Sequence, residues 1–181
     1  MTYIAPLDPA SADAETAATL QAVKASIGMI PNLYATLAKA PAALEVLLRA
    51  NSALATGQLN AKEREIVALA TSQANSCQYC LSAHTFLAKK AGLSLAETHQ
   101  ARAGKDDDPR HAAIARFTRS LIDARGHVEP RQLDEFKSAG LSDADLLEVV
   151  ANVAVTTLTN FTNNVARTRI DFPVVETVLA A

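Results

Sequence analysis

Apolar residues recur at three- and four-residue intervals along most of the chain. Leu44, Leu47, Leu48 and Leu54 make one such stripe, and Ile114, Phe117 and Leu121 another. That period is helical. Gly28, Gly57, Gly92, Gly104, Gly126 and Gly140 each follow a periodic stretch, where the left-handed residue just past a helix end favours glycine. Start signals precede the stripes: Asn60 with Glu63, Ser94 with Glu97, Ser142 with Asp145, and Asp108 followed by Pro109. Together they predict helices over 11–27, 31–39, 41–56, 61–75, 77–91, 95–103, 109–125, 130–138 and 143–168. The β-branched run "VAVTTLTNF" is the one ambiguous stretch. Its place inside a long capped pattern assigns it to a helix.

"GQLNAKEREIV", "AGLSLAETHQA" and "AGLSDADLLEV" share an order of glycine, leucine, cap and acid. Convergent capping explains this, and a duplicated helical hairpin is the alternative. No low-complexity linker divides the chain, and "KDDDP" is only a short acidic run before a helix. The expectation is a single all-α domain, a helical bundle with N-terminal helices over 1–56, a core over 57–125 and C-terminal helices over 126–181.

Composition narrows the function classes. Of 181 residues 49% are hydrophobic and 20% charged, with a formal net charge of −2 and a pI near 6.1. Without a basic excess, nucleic acid is not an expected partner. Abundant alanine and few aromatics agree with helices. The N-terminal "MTYIAPLDPASADAET" lacks the basic and apolar regions of a secretory signal. The most apolar stretch, "LLEVVANVAVTTLTNF", carries Glu148 and Asn152 and is too polar and short for a membrane span. A cytoplasmic location is expected, where a structural disulfide would be reduced. A C-x-x-C in that setting points to catalysis or metal binding.

Both cysteines of the chain lie in "SCQYCLSAHTF". On a helix ending before Gly92, Cys77, Cys80 and His84 share one face. Cα atoms three residues apart on a helix are about 5 Å apart, inside the range a disulfide spans. Both thiols fall in the first turn, where free N–H groups and the helix dipole favour a thiolate. His84 is spaced to exchange a proton with Cys80. Two core thiols side by side are an alternative. A zinc site is another, but it needs two more ligands, from His84, Glu65 or histidines far along the chain. A reversible thiol–disulfide centre fits the pattern best.

The segment "EREIVALATSQANSCQYCLSAH" resembles the core motif of the alkylhydroperoxidase D-like proteins of the carboxymuconolactone decarboxylase superfamily: a glutamate, eleven residues, then C-x-x-C-x-x-x-H. Glu65, Cys77, Cys80 and His84 fill it without a gap. "GMIPNLYATLAKAPAALEVLLRANSAL" (Gly28 to Leu54) and "IDFP" (Ile170 to Pro173) resemble the flanking segments of the family's peroxidase-related members. The resemblance implies an all-helical, cofactor-free fold assembling into dimers, trimers or hexamers. It implies a peroxidatic thiol at Cys80, a resolving thiol at Cys77, and a proton relay of Glu65 and His84. The substrate class would be organic hydroperoxides, or an oxidised peroxiredoxin partner, with electrons drawn from a lipoyl group or another dithiol.

Chemistry independently suits those roles: a thiolate attacks one peroxide oxygen, an acid protonates the leaving alkoxide, and a nearby thiol captures the sulfenic acid before over-oxidation. Without the family spacing, Glu65 would read as a solvated charge beside Lys62 and Arg64. Tyr79 is the departure from the pattern. The best-known peroxidase-active members carry histidine there, whereas tyrosine donates a hydrogen bond but is no base near neutral pH. The superfamily's decarboxylases lack the cysteine pair, so lactone decarboxylation is not implied. The rival expectation is a non-enzymatic redox sensor or helical oligomerisation module with a vestigial dithiol.

Two further groups complete the inventory. His99, His111 and His127 sit near helix or loop ends and read as surface residues. Asn152, Thr156, Asn160 and Asn163 form a polar row on the last helix, suited to a pocket over the dithiol, a subunit interface or a polar crossing within the bundle.

Overall fold

Side-chain caps set where most of the helices begin. A computed structural model describes residues 1–179, and among these a short 3-10 turn (Pro9–Ser11) precedes nine α-helices. They are α1 (Ala14–Ile27), α2 (Asn32–Leu37), α3 (Pro41–Leu54), α4 (Ala61–Ala74), α5 (Gln78–Lys90), α6 (Leu95–Arg102), α7 (Pro109–Asp123), α8 (Pro130–Ser138) and α9 (Asp143–Ala166). The capping boxes at Asn60–Glu63, Ser94–Glu97 and Ser142–Asp145 all form. Asp108 accepts from the Arg110 and His111 amides at the start of α7. The stretch "VAVTTLTNF" is helical, inside α9.

The glycines are not all alike. Five are left-handed, but Gly57 is not. It is required for another reason: the Glu148 carboxylate occupies the space a Cβ would take, accepting from the Gln58 and Leu59 amides at 2.7 and 3.1 Å. Conversely Ser76, with φ +50°, turns left-handed without being glycine, and it reverses the chain between α4 and α5 immediately before Cys77.

α4 is the central helix, packing against α5, α6, α7 and α9. Residues Ile66 to Ser72 are buried without a break, as expected of a helix surrounded on all sides. One apolar core joins Ile66, Val67 and Leu69 to Leu81, Ile114, Phe117, Phe136 and Val149. A second joins Leu20, Leu33, Leu37, Leu44 and Leu47 of α1–α3 to Cys77, Tyr79, Cys80 and Ala83. The dithiol thus lies in the apolar seam that the N-terminal helices close over α5. Away from this seam, Arg110 ties three helix starts together: its Nε donates to Glu63 at 2.6 Å and its Nη2 to Asp145 at 2.9 Å.

The C-terminal segment crosses the start of α5. Asp171 accepts from the Asn32 amide at 2.6 Å, and the Val175 amide donates to Ser82 Oγ at 3.0 Å. Arg102, only 2% exposed, donates to Gln73 Oε1 at 2.8 Å and to the Glu176 carbonyl at 2.7 Å. This buried guanidinium anchors the segment and had no signal in the sequence pattern. No helix among the described residues is long and apolar enough to cross a membrane.

Candidate active site

Cys77 is the N-cap of α5, and its sulfur accepts from the Cys80 amide at 3.3 Å. Ser76 sets that geometry by turning the chain so that Cys77 is extended while Cys80 is helical. The two sulfurs lie 2.6 Å apart as free thiols. Cys77 is wholly buried, and Cys80 is 2% exposed.

The environment separates the two thiols electrically. Burial pushes Cys80 up, but the hydrogen bond from Cys77, the charge of His84 and the amides of Asn163 and Asn160 outweigh it, bringing Cys80 down to about 6. Cys77 moves upward, because it keeps its proton to donate a hydrogen bond to Cys80 and because it is buried. A first-turn position alone favours thiolate at both; the tertiary contacts reserve it for Cys80.

Helices α2, α3, α4, α5 and α9 and the C-terminal segment build the surroundings. His84, one turn beyond Cys80, has its Nδ1 2.9 Å from Glu65 Oε2 on α4, both side chains about four-fifths buried. Burial pulls the imidazole down, but the adjacent Glu65 charge and hydrogen bond dominate and raise it. Among the described residues no group of three or more His, Cys, Asp and Glu is arranged to hold a metal ion.

A cavity of about 100 Å³ reaches Cys80 and His84, walled by Leu33, Leu47, Leu87, Val155 and Phe172, with Tyr34, Asn51, Thr156 and Thr159 as its polar groups. A second cavity of about 100 Å³ lies beyond the imidazole, lined by Arg64, Glu65, Asn51 and Asn152. His84 therefore stands between an apolar chamber holding the sulfur and a polar one holding its carboxylate partner.

Tyr79 lines the first cavity but is not placed as a base. Its hydroxyl accepts from the Leu33 amide at 3.2 Å, its ring meets Phe172 edge-on at 5.9 Å, and burial followed by the Asp171 contact raises it. It locks α2 and the C-terminal segment onto α5.

The polar row of α9 divides along its length. Asn163 Nδ2 donates to Cys80 Sγ at 3.2 Å, and Asn160 bonds Ser72 and Asn75 beside it. Thr156 faces both cavities, while Asn152 donates to its own helix at Glu148. The row lines the site rather than merely crossing the bundle. His99 and His127 are exposed. His111 departs from the surface expectation: it is half-buried with its Nδ1 3.8 Å from Asp106, because α7 begins against the preceding loop. None of these three histidines lines either cavity beside the dithiol.

Residues 41–126 match the model of the carboxymuconolactone decarboxylase family. No curated protein matches the chain in sequence. Among solved structures, an uncharacterised peroxidase-related protein from Ralstonia eutropha JMP134, described as an alkylhydroperoxidase AhpD core, is 25% identical over 93% of each chain with a TM-score of 0.83. A peroxidase-related protein from Silicibacter sp. TM1040 is 21% identical, over 92% of this chain and 91% of that one, with a TM-score of 0.78. The apo form of the debrominase Bmp8 is 18% identical, over 94% of this chain and 93% of its own, with a TM-score of 0.79. The shared fold thus extends to a protein of different activity. Residues 41–126 of this chain thus match the carboxymuconolactone decarboxylase family, and its all-helical architecture is that of the alkylhydroperoxidase AhpD core protein.

Proposed function

We propose that the protein is a thiol-dependent peroxidase and dithiol–disulfide oxidoreductase acting on small organic hydroperoxides. The observation that carries this reading is the asymmetry of the pair: a depressed, cavity-facing Cys80 beside a proton-holding Cys77. The Cys80 thiolate attacks the distal oxygen of ROOH. The S–O bond forms as O–O breaks, and RO⁻ leaves with the electron pair and takes a proton from His84. Cys77 then displaces hydroxide from the sulfenic acid, giving a disulfide and water. A dithiol, of the lipoyl class or another, returns two electrons and two protons. Glu65 holds the imidazole and its charge between turnovers.

The small apolar chamber favours a slender organic peroxide. The likeness to peroxidase-related proteins supports the same chemistry. A cytoplasmic, reducing setting would keep the resting pair as thiols. Self-association belongs to the reading too. α9 carries an unpartnered stripe of Leu147, Val150, Phe161 and Val165, between 38% and 66% exposed, at the spacing by which helices pair.

The test is hydroperoxide consumption with excess dithiol. Wild type should turn over repeatedly and Cys80→Ser not at all. Peroxide loss by Cys80→Ser at the wild-type rate would refute the assignment, and stoichiometric thiol loss without turnover would favour a redox sensor.

A further inference from the structure

Asn163 is 3% exposed and presents two different groups near the sulfur. Its Nδ2 donates to Cys80 Sγ at 3.2 Å. Its Oδ1 is buried with no hydrogen-bond partner. An unsatisfied buried acceptor is costly, and one belonging to a side chain already bonded to a reactive atom invites a partner that arises during reaction. Asn160 differs in this respect, because its oxygen is taken by Asn75 at 2.9 Å.

We propose that Asn163 is a catalytic residue with two roles: Nδ2 holds the Cys80 thiolate, and Oδ1 accepts the O–H of the sulfenic acid formed there. The second role rests on the peroxidatic reading of Cys80; the first does not. When the thiolate takes the distal oxygen of ROOH, sulfur is oxidised by two electrons, and the O–O bond is reduced by two. The alkoxide leaves and is protonated by His84. The hydrogen already on the transferred oxygen stays there, giving Cys80–S–O–H. That group needs an acceptor beside a largely apolar cavity, and a small rotation about the broad terminal torsion of asparagine supplies one. Held this way, the sulfenic acid waits for Cys77 rather than for a second peroxide.

The experiment uses the full chain in a Cys77→Ser background, so that Cys80 is the one thiol. Asn163→Leu removes both amide groups at similar volume; Asn163→Ala is the second variant if the first fails to fold. The pH midpoint of iodoacetamide alkylation should rise by about one unit, a tenfold loss of thiolate at acidic pH. After one equivalent of cumene hydroperoxide, the ratio of dimedone-trapped sulfenic acid to over-oxidised Cys80 should fall severalfold by mass. A lowered melting temperature with an unchanged midpoint would make Asn163 merely structural and overturn the donor role. An unchanged ratio would overturn the acceptor role. A parent that forms no sulfenic acid at all would instead sink the peroxidatic reading, and the acceptor role with it, leaving the midpoint to decide the donor.

Discussion

His84 Nδ1 stands 2.9 Å from Glu65 Oε2, so an imidazole–carboxylate hydrogen bond joins two consecutive core helices. The pair raises His84 while Cys80 is brought down to about 6. In the proposed peroxidase cycle the reactive form holds a Cys80 thiolate and a His84 imidazolium together. Peroxidase rate should therefore be bell-shaped in pH, rising near 6 and falling through the raised histidine value, the two limbs belonging to the coupled pair. Glu65→Gln should move the alkaline limb downward and narrow the window, as read from kcat/KM against pH. The same pair stabilises the fold fully below the unfolded histidine value of about 6.5 and loses that contribution as pH rises through the raised folded value. The stability gap between wild type and Glu65→Gln should accordingly be larger at pH 6 than at pH 9.

Cys77 gives Cys80 a hydrogen bond besides serving as its disulfide partner. Cys77→Ser preserves a donor, and Cys77→Ala does not. Hydrogen bonds to charged groups are worth about 1.5–3 kcal/mol, so Cys77→Ala should alkylate at least about tenfold more slowly than Cys77→Ser at pH 6. Both should end as sulfinic or sulfonic acid at Cys80 after repeated peroxide, visible by mass.

Tyr79→Phe should separate packing from chemistry. It strips a partner from the buried Leu33 amide, at a cost of about 1–3 kcal/mol in urea unfolding. Cys80 alkylation at neutral pH should change less than about twofold, because the lost hydroxyl is no base near that pH.

Arg110→Met leaves Glu63, 3% exposed at its side chain, without its cation. A fully buried pair broken this way costs about 3–5 kcal/mol. Arg110 keeps 34% exposure, and solvent screening reduces the expected loss to about 2–3 kcal/mol. Alkylation of Cys80 by iodoacetamide should be unaffected in the protein that remains folded.

The exposed stripe on α9 gives the self-association reading a direct test. Leu147→Lys and Phe161→Glu place charges on residues 66% and 57% exposed, so neither should unfold the chain. Light scattering coupled to size exclusion should show the mass falling to that of a monomer. An unchanged mass, or a monomeric wild type, would remove the stripe from the interface.

Helix order, capping and the shared face of Cys77, Cys80 and His84 were legible from local rules alone, whereas Glu65 stood out only through the family resemblance. Asn60, Ser94 and Ser142 bond groups three residues away, and the Cys77–Cys80–His84 face follows from helix pitch. These are short-range facts, which a linear pattern records. Gly57 shows where such rules end: its lack of a side chain answers to Glu148, far along the chain, and not to a left-handed turn.

The tertiary structure alone decided how the site is divided. Cys77 and Cys80 occupy the same first turn, yet only Cys80 meets Asn163, Asn160 and the His84 charge. Tyr79 became a structural lock because Leu33 and Phe172 converge on it from both ends of the chain. Arg102 was drawn inside by carbonyls of the C-terminal segment. In each case the determining partner is remote in sequence, and electrostatic and hydrogen-bond energies depend on distance and burial, which are fixed only when the helices pack.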